Sequence, residues 1–187
     1  MIRLSPYWIY DDQPLLNKTD DIIANSPLVH EAGIHNAYKN SMRKSKVGWI
    51  SVNEGYGKLL FDKLIPYINN ANKKSNWNFE IEFCESLQYT VYDVGGTYDW
   101  HIDYVIKKET SKHNRKISFT ILLNDDFKGG EFELESGHPN SGNRHKKLDM
   151  KKGDMLLFPS YTWHRVNPVT EGVRKSLVGW INGPNWK

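Results

Sequence analysis

The chain is poor in sulfur: Cys84 is the one cysteine among 187 residues. A single thiol excludes an intramolecular disulfide framework and suits a reducing compartment. Long apolar runs are also missing, so no stretch reads as a membrane-spanning helix. The opening MIRLSPYWIYDDQ lacks the apolar core of a secretory leader. Net charge is scarce, because 25 Lys and Arg stand against 22 Asp and Glu, leaving +3. That balance lays down no dense basic footprint, so neither nucleic acid nor a membrane is an expected partner. No internal repeat is evident, and the length suits one domain, 1–187, with a substantial core.

What the chain does have is aromatic surface, with seven Trp, ten Tyr and an aromatic fraction of 13%. Such usage suits a β-rich fold with aromatic-lined clefts. The first 50 residues carry little chemistry. TDDIIANS reads as a short helix capped by Thr19 or Asp20, and LVHEAGI and KVGWISV read as strands. His30 and His35 are candidate ligands by residue type alone. Residues 54–75 read as the main helix, with Leu60, Phe61, Leu64, Tyr67 and Ile68 forming an apolar stripe at helical spacing. Pro66 is expected to kink or split it, and Lys73 and Lys74 to close it in solvent.

From Trp77 the pattern changes to short strands separated by turns: NFEIEFCESLQYTVYDVG, TYDWHID, KISFTILLN, GEFELE, DMLLFP, HRVNPV and RKSLVGWI. The Gly95–Gly96 and Gly129–Gly130 pairs supply tight turns. The expected class is mainly β with flanking helices, a closed or two-sheet antiparallel architecture of jelly-roll type. Residues 77–184 would form its core, and 1–76 an N-terminal α/β extension that supports it. Two polar loops interrupt the pattern. Residues 104–115 are placed to act as a lid, and residues 135–147 read as a surface hairpin. His113, His138 and His145 lie in these loops and read as solvated.

The stretch YDVGGTYDWHID carries the chemistry. Alternation along a strand would put His101 and Asp103 on one face, with Cα atoms about 6–7 Å apart. His164 lies far downstream in PSYTWHRV. Two imidazoles and a carboxylate on one side of a divalent metal leave the other side open, the arrangement of the non-haem Fe(II) facial triad. Zn(II) could occupy the same three ligands, although open positions suit redox iron better than a closed structural zinc site. Arg174 follows His164 by ten residues along a returning strand, and Ser176 shares its face. A forked cation and a hydroxyl can hold the far end of a dicarboxylate whose near end chelates the metal.

The ordered pieces RKSKVGWI, YDVGGTYDWHID, RKISFTILLND, FKGGEFEL, KKGDMLLFPSYTWHRVNPV and VRKSLVGWINGP cover most of residues 40–184. Together they resemble the Fe(II)/2-oxoglutarate dioxygenases, and within them the prolyl 4-hydroxylase-like branch. The resemblance implies a double-stranded β-helix. It also implies Fe(II) at His101, Asp103 and His164, with 2-oxoglutarate and O2 as cosubstrates and ascorbate as a stimulant. Arg174 would clamp the cosubstrate, with Tyr92, Ser176 and Trp180 around it. Tyr98, Arg115 and Trp163 would meet a prolyl residue of a peptide or protein, while Arg43 and Ser45 would support the core. Two positions depart from the pattern: Phe132 stands where relatives can carry a Thr, and Leu122 where many carry a Tyr. The implied activity is prolyl hydroxylation, converting 2-oxoglutarate and O2 to succinate and CO2, of the kind catalysed by procollagen-proline 4-dioxygenases. The alternatives are hydroxylation of a free amino acid or other small molecule, a non-catalytic metal-binding jelly roll, or a zinc hydrolase. Nucleic-acid demethylation is disfavoured, because relatives of that kind carry a second Arg where this chain has Trp180. The single cysteine points to a cytoplasmic setting, and the Lys- and Asn-rich composition to a microbial cell or a virus-infected host.

Overall fold

A computed structural model of the chain describes residues 4–11, 35–37, 42–104, 111–137, 140 and 142–186. The expected helix at TDDIIANS, the strand at LVHEAGI, His30, His138 and most of the lid (105–110) lie outside the described residues.

Among the described residues there are fourteen strands and one helix. The early strands are β1 (Trp8–Tyr10), β2 (His35–Ala37) and β3 (Arg43–Ile50), followed by helix α1 (Gly55–Lys74). After the helix come β4 (Phe83–Cys84), β5 (Leu87–Tyr92), β6 (Thr97–His101), β7 (His113–Leu122) and β8 (Phe127–Gly129). The chain continues through β9 (Phe132–Glu135), β10 (His145–Leu148), β11 (Met155–Pro159), β12 (His164–Val166), β13 (Val169–Gly172) and β14 (Arg174–Pro184).

The strands form two antiparallel layers joined through β3. The major layer runs β1-β11-β7-β14-β5-β3, and the minor layer runs β3-β6-β12-β9-β10. Lys46–Ile50 of β3 pair with β5, while Arg43 and Lys44 pair with β6, so one strand belongs to both layers. This is the jelly roll, or double-stranded β-helix, expected from the sequence. A separate ribbon of β8 and β13 sits between the layers in chain order. HRVNPV, expected as one strand, is thus divided between β12 and the start of β13.

Helix α1 forms where the apolar stripe predicts it. Leu60, Leu64 and Ile68 are buried, and Phe61 and Tyr67 pack beside them. Pro66 lies inside the helix, which continues past it as one element. Gly57 lets the helix sit directly on the end of β3, since a Cβ there would meet the Ser51 carbonyl oxygen at 1.9 Å. The helix ends as Ser75 N–H bonds back to Ala71 at 2.9 Å, and Asn76 and Asn78 take positive φ. Asn tolerates that region better than most residues.

The major sheet alternates in a way that places the site. Leu87, Ile117, Phe119, Ile121, Leu177 and Ile181 face the helix and form its core. Their neighbours Gln88, Thr90, Ser118, Thr120, Arg174 and Ser176 are polar, yet also buried. Those residues turn towards the minor sheet. A smaller apolar cluster of Phe132, Leu134, Leu148, Leu156, Phe158 and Val166 closes the space between the layers. Among the described residues no helix is long and apolar enough to cross a membrane.

Candidate active site

His101 ends β6 and His164 begins β12, and the two are directly opposite in the antiparallel register. Asp103 lies beyond the end of β6, in a bend and not in the strand expected for it. The bend is anchored by Ser160, whose carbonyl accepts the Asp103 and Tyr104 N–H groups at 2.9 and 2.8 Å. Asp103 therefore faces its partners because the turn is pinned, and strand alternation is not the cause.

The ligand atoms of His101, Asp103 and His164 all lie within 4.8 Å of one another, and all three residues are buried. Nε2 of His101 is 3.9 Å from one Asp103 oxygen, and Nε2 of His164 is 3.5 Å from the other. The Nδ1–H of His101 donates to the Asp99 carbonyl at 2.7 Å, and that of His164 to the Thr162 carbonyl at 2.9 Å. A carbonyl can only accept, so these contacts assign the proton to Nδ1 and leave the Nε2 lone pairs facing inward. Burial, and then the neighbouring His164, push the His101 pKa down to about 4, so its ring is neutral at pH 7. Burial pulls Asp103 upward, but His164 and His101, helped by Ser118 and Trp180, outweigh it and hold the carboxyl below its usual range. The Trp180 indole N–H acts there without completing a hydrogen bond of its own. Two imidazoles that turn Nε2 inward and a carboxylate with open space beside them are a donor set that fits a divalent metal.

Across the cavity, Arg174 begins β14 opposite Tyr92 of β5. It is 2% exposed. Its guanidinium donates to Ser176 Oγ at 3.1 Å and lies 5.6 Å from the Tyr92 ring centre. Among the described residues no carboxylate pairs with it. Burial lowers the Arg174 pKa from its ordinary value and raises that of the Tyr92 hydroxyl. A buried cation without a counter-ion is a costly arrangement that a bound anion would relieve. The cavity between this cation and the triad is lined by Tyr92, Tyr98, Ser176 and Trp180 among others.

The three residues expected to meet substrate fall in three different places. Tyr98 stacks on His101, with ring centres 3.5 Å apart and planes at 14°, and lines the cavity. Arg115 lies in β7, forks onto Glu85 at 2.8 and 2.5 Å, and covers Trp180 at 4.0 Å. It does not line the cavity. Trp163 is half-exposed and lines a separate depression with Trp100, Glu135, Arg144 and His145. Among the described residues it shares no pocket with Tyr98. His113 pairs with Glu82 at 2.6 Å, and His145 packs on Trp100, so neither approaches the triad.

Sequence reasoning treated Arg43 as structural, yet its guanidinium lines the cavity, 4.6 Å from the Tyr98 ring centre. Ser45 Oγ and Gln88 Oε1 hold it, each at 2.7 Å. The missed signal was a run of polar residues at alternate positions of β5 and β14, which marks a buried polar face. Of the two departures, Phe132 packs parallel to the His164 ring at 5.5 Å. Leu122 lies behind Arg174, against a neighbouring depression.

A family model described as the 2OG-Fe(II) oxygenase superfamily matches residues 87–182. A PKHD-type hydroxylase of Synechococcus sp. (strain CC9902) is 39% identical over 94 residues, covering 48% of this chain and 37% of that protein. One from Idiomarina loihiensis is 37% identical over 102 residues, covering 51% and 43%. The chain thus spans well under half the length of these curated relatives. Among solved structures, a Pseudomonas putida prolyl-4-hydroxylase superposes with TM-score 0.72 at 16% identity, covering 97% of this chain and 94% of that one. The viral collagen prolyl hydroxylase of Paramecium Bursaria Chlorella virus-1, in a 2OG complex, gives 0.69 at 19% identity, covering 96% and 97%. A Trichoplax adhaerens prolyl hydroxylase, in complex with a hypoxia inducible factor degradation domain peptide, gives 0.69 at 19%, covering 95% and 83%. At these identities the structural likeness establishes the shared fold.

Proposed function

The chain belongs to the 2OG-Fe(II) oxygenase superfamily, and on that premise we propose that it is an Fe(II)- and 2-oxoglutarate-dependent oxygenase that hydroxylates a prolyl residue in a peptide or protein. The observation that carries this reading is the pairing, across one cavity, of a His/Asp/His donor set with a buried Arg174 that no carboxylate among the described residues pairs. A ligand that is both a chelator and an anion satisfies both ends, and a 2-oxo diacid is such a ligand.

His101 and His164 would offer Nε2 and Asp103 a carboxylate oxygen to the metal, each orientated by the backbone contacts already described. Iron held there supplies the oxidative chemistry, in which 2-oxoglutarate and O2 become succinate and CO2 as a C–H bond is hydroxylated. The remaining tasks belong to the chain. Arg174 and Ser176 would take the far carboxylate, and Tyr92 and Trp180 would wall the cosubstrate and exclude water. Tyr98 presents an aromatic face beside His101, where a proline ring could pack.

The prolyl part of the reading draws on the solved prolyl hydroxylases that share the fold, one of them with a peptide bound. A free amino acid or other small molecule is the second reading. It is favoured by Arg115, whose Nε and Nη2 fork is held by Glu85 and whose side chain does not line the cavity. Incubation with Fe(II), ascorbate and 2-oxoglutarate, with and without a panel of proline-containing peptides and free amino acids, tests both. The expected result is succinate release and a peptide mass gain of one oxygen on proline, abolished by His101→Ala. Oxygen on a free amino acid alone would select the second reading. Absence of succinate from metal-loaded protein with every substrate would leave a metal-binding module and remove the oxygenase.

A further inference from the structure

Trp180 lines the cavity and carries a donor that is left over. Its indole Nε1 is shielded from solvent and finds no hydrogen-bond partner among the described residues. Burying a donor unpaired costs free energy, so an orphan of this kind on a cavity wall calls for an explanation. The indole is also held in place. Trp180 is 6% exposed, the Arg115 guanidinium lies 4.0 Å from its ring centre, and Trp49 packs on it at 6.1 Å. Arg115 is itself fixed by its fork onto Glu85.

The strand register says where this donor stands. Trp180 of β14 is directly opposite Ser118 of β7, and facing residues of an antiparallel pair share one face. Arg174 lies six residues earlier on the same strand, about 20 Å away at the rise of a strand. Trp180 therefore belongs to the triad end of the cavity and not to the Arg174 end. Asp103 is the ligand it meets there. The Asp103 N–H is pinned to the Ser160 carbonyl at 2.9 Å, and Ser160 Oγ is 2.9 Å from Ser118 Oγ. A proton given by the Ser160 hydroxyl leaves the Ser118 proton for the Asp103 carboxylate. Burial raises the Asp103 pKa and His164 and His101 lower it; Ser118 and Trp180 are the side chains that lower it further by hydrogen bonding.

Resting on the function proposed above, we infer that Trp180 is a positioning residue for Asp103: its indole N–H, with the Ser118 hydroxyl beside it, takes the carboxylate oxygen that the metal leaves free. A carboxylate held in this way offers the metal one oxygen and not two, which keeps open the positions that a chelating 2-oxo acid needs. The orphan donor finds its acceptor when the site is loaded. Arg115 and Glu85 act at one remove, by fixing the plane of the indole, which gives that ion pair a task away from substrate.

The test is the indole proton–nitrogen NMR spectrum of the full chain, titrated first with Zn(II), a diamagnetic occupant of the three ligands, and then with 2-oxoglutarate. The Trp180 signal is assigned through its contacts with Ser118 across the strand pair. The expected result is a downfield shift of that signal and slower exchange of its proton on Zn(II) alone, with little further change on 2-oxoglutarate. In equilibrium dialysis, Trp180→Phe and Ser118→Ala should each raise the Mn(II) Kd by about tenfold to a hundredfold, the range for groups that orient a metal ligand. Trp49→Phe disturbs the packing of the indole but keeps its N–H, and should leave that Kd within about threefold. A Trp180 signal that moves only with 2-oxoglutarate would make the indole a donor to the cosubstrate, overturning the inference and leaving the proposed function standing. A signal that ignores both ligands while they bind would overturn it too, as would wild-type Mn(II) affinity in Trp180→Phe. If the protein binds no metal, the function and the inference fall together. The wild-type spectrum decides the matter even if a variant fails to fold.

Discussion

Replacing Arg174 by Met should make the protein more stable and unable to hold 2-oxoglutarate. Arg174 is 2% exposed and its hydrogen bond among the described residues goes to a neutral hydroxyl. Exchanging buried ionic groups for well-packed apolar side chains stabilises proteins by about 1–4 kcal/mol in measured cases. Methionine matches the stem and fills much the same volume. Leaving Ser176 Oγ without its donor takes back about 1 kcal/mol. The net expectation is a gain of about 1–2 kcal/mol, or about 2–8 °C in Tm for a chain of this length. The opposite effect is expected on the ligand. Losing one partner of a buried charge-assisted pair costs about 2–5 kcal/mol, so the Kd for 2-oxoglutarate should rise by roughly 30-fold or more. Thermal unfolding of metal-free protein reads the first effect, and calorimetry on the Mn(II)-loaded protein the second. A destabilisation of about 2 kcal/mol or more would mean that the guanidinium is an integral structural partner and not a charge awaiting an anion. Unchanged affinity would remove it as the clamp.

Other consequences follow from single residues. His164→Ala should lower Mn(II) affinity on the order of a hundredfold or more in equilibrium dialysis, since even groups that merely orient a ligand are worth tenfold to a hundredfold; undiminished binding would place the metal elsewhere. Metal-free protein should lose stability as the pH falls from about 6.5 towards 4. His101 has its folded pKa depressed to about 4, so the unfolded chain binds the extra proton across that window. At about 1.4 kcal/mol per unit the ceiling is roughly 3 kcal/mol. Urea midpoints at pH 7 and pH 5 with chelator present measure it, and an unchanged midpoint would contradict it. Leu64→Ala, at a position 1% exposed between α1 and the major sheet, should cost about 2–5 kcal/mol with an unchanged urea m value. Cys84 should stay unreactive to thiol reagents until the protein unfolds, because burial pushes its pKa up to about 12.

The elements legible in the sequence were those written in a regular period. The stripe of Leu60, Leu64 and Ile68 marks α1 because a helix must bury one face, and the structure follows it closely. The alternating runs mark β5, β7, β11 and β14 for the same reason. The sequence does not announce places where geometry comes from a distant partner. Asp103 was expected on a strand face, but it sits in a bend whose shape is set by the Ser160 carbonyl, 57 residues away. The β8–β13 ribbon is three or four residues wide on each side, too short to show a period. Arg115 was expected to be available to a ligand, yet Glu85 holds it, and nothing local in β7 or in the link between β4 and β5 signals that pairing. Arg43 erred in the opposite direction: its sequence context suggested support, while the joining of β3 to β6 carries it to the cavity wall.

A single pattern explains why a site can exist between these sheets at all. β5 and β14 each present apolar residues to α1 and polar ones to the minor sheet, so the major sheet is buried on both faces but apolar on only one. Burying Gln88, Thr90, Ser118, Thr120, Arg174 and Ser176 costs free energy unless each finds a partner. Some do: Gln88 accepts from Arg43 and Thr90, and Ser118 shares a hydrogen bond with Ser160. Arg174 finds a hydroxyl but, among the described residues, no opposite charge. A sheet optimised for stability alone would carry Val or Leu at that position, as the same strand does at Leu177 on its helix-facing side. The helix-facing core is what lets the fold tolerate the unpaired charge, and that division predicts how variants separate. Changes on the helix face should alter stability without altering ligand binding, whereas apolar replacement of Arg174 on the inner face should alter ligand binding and leave stability equal or improved.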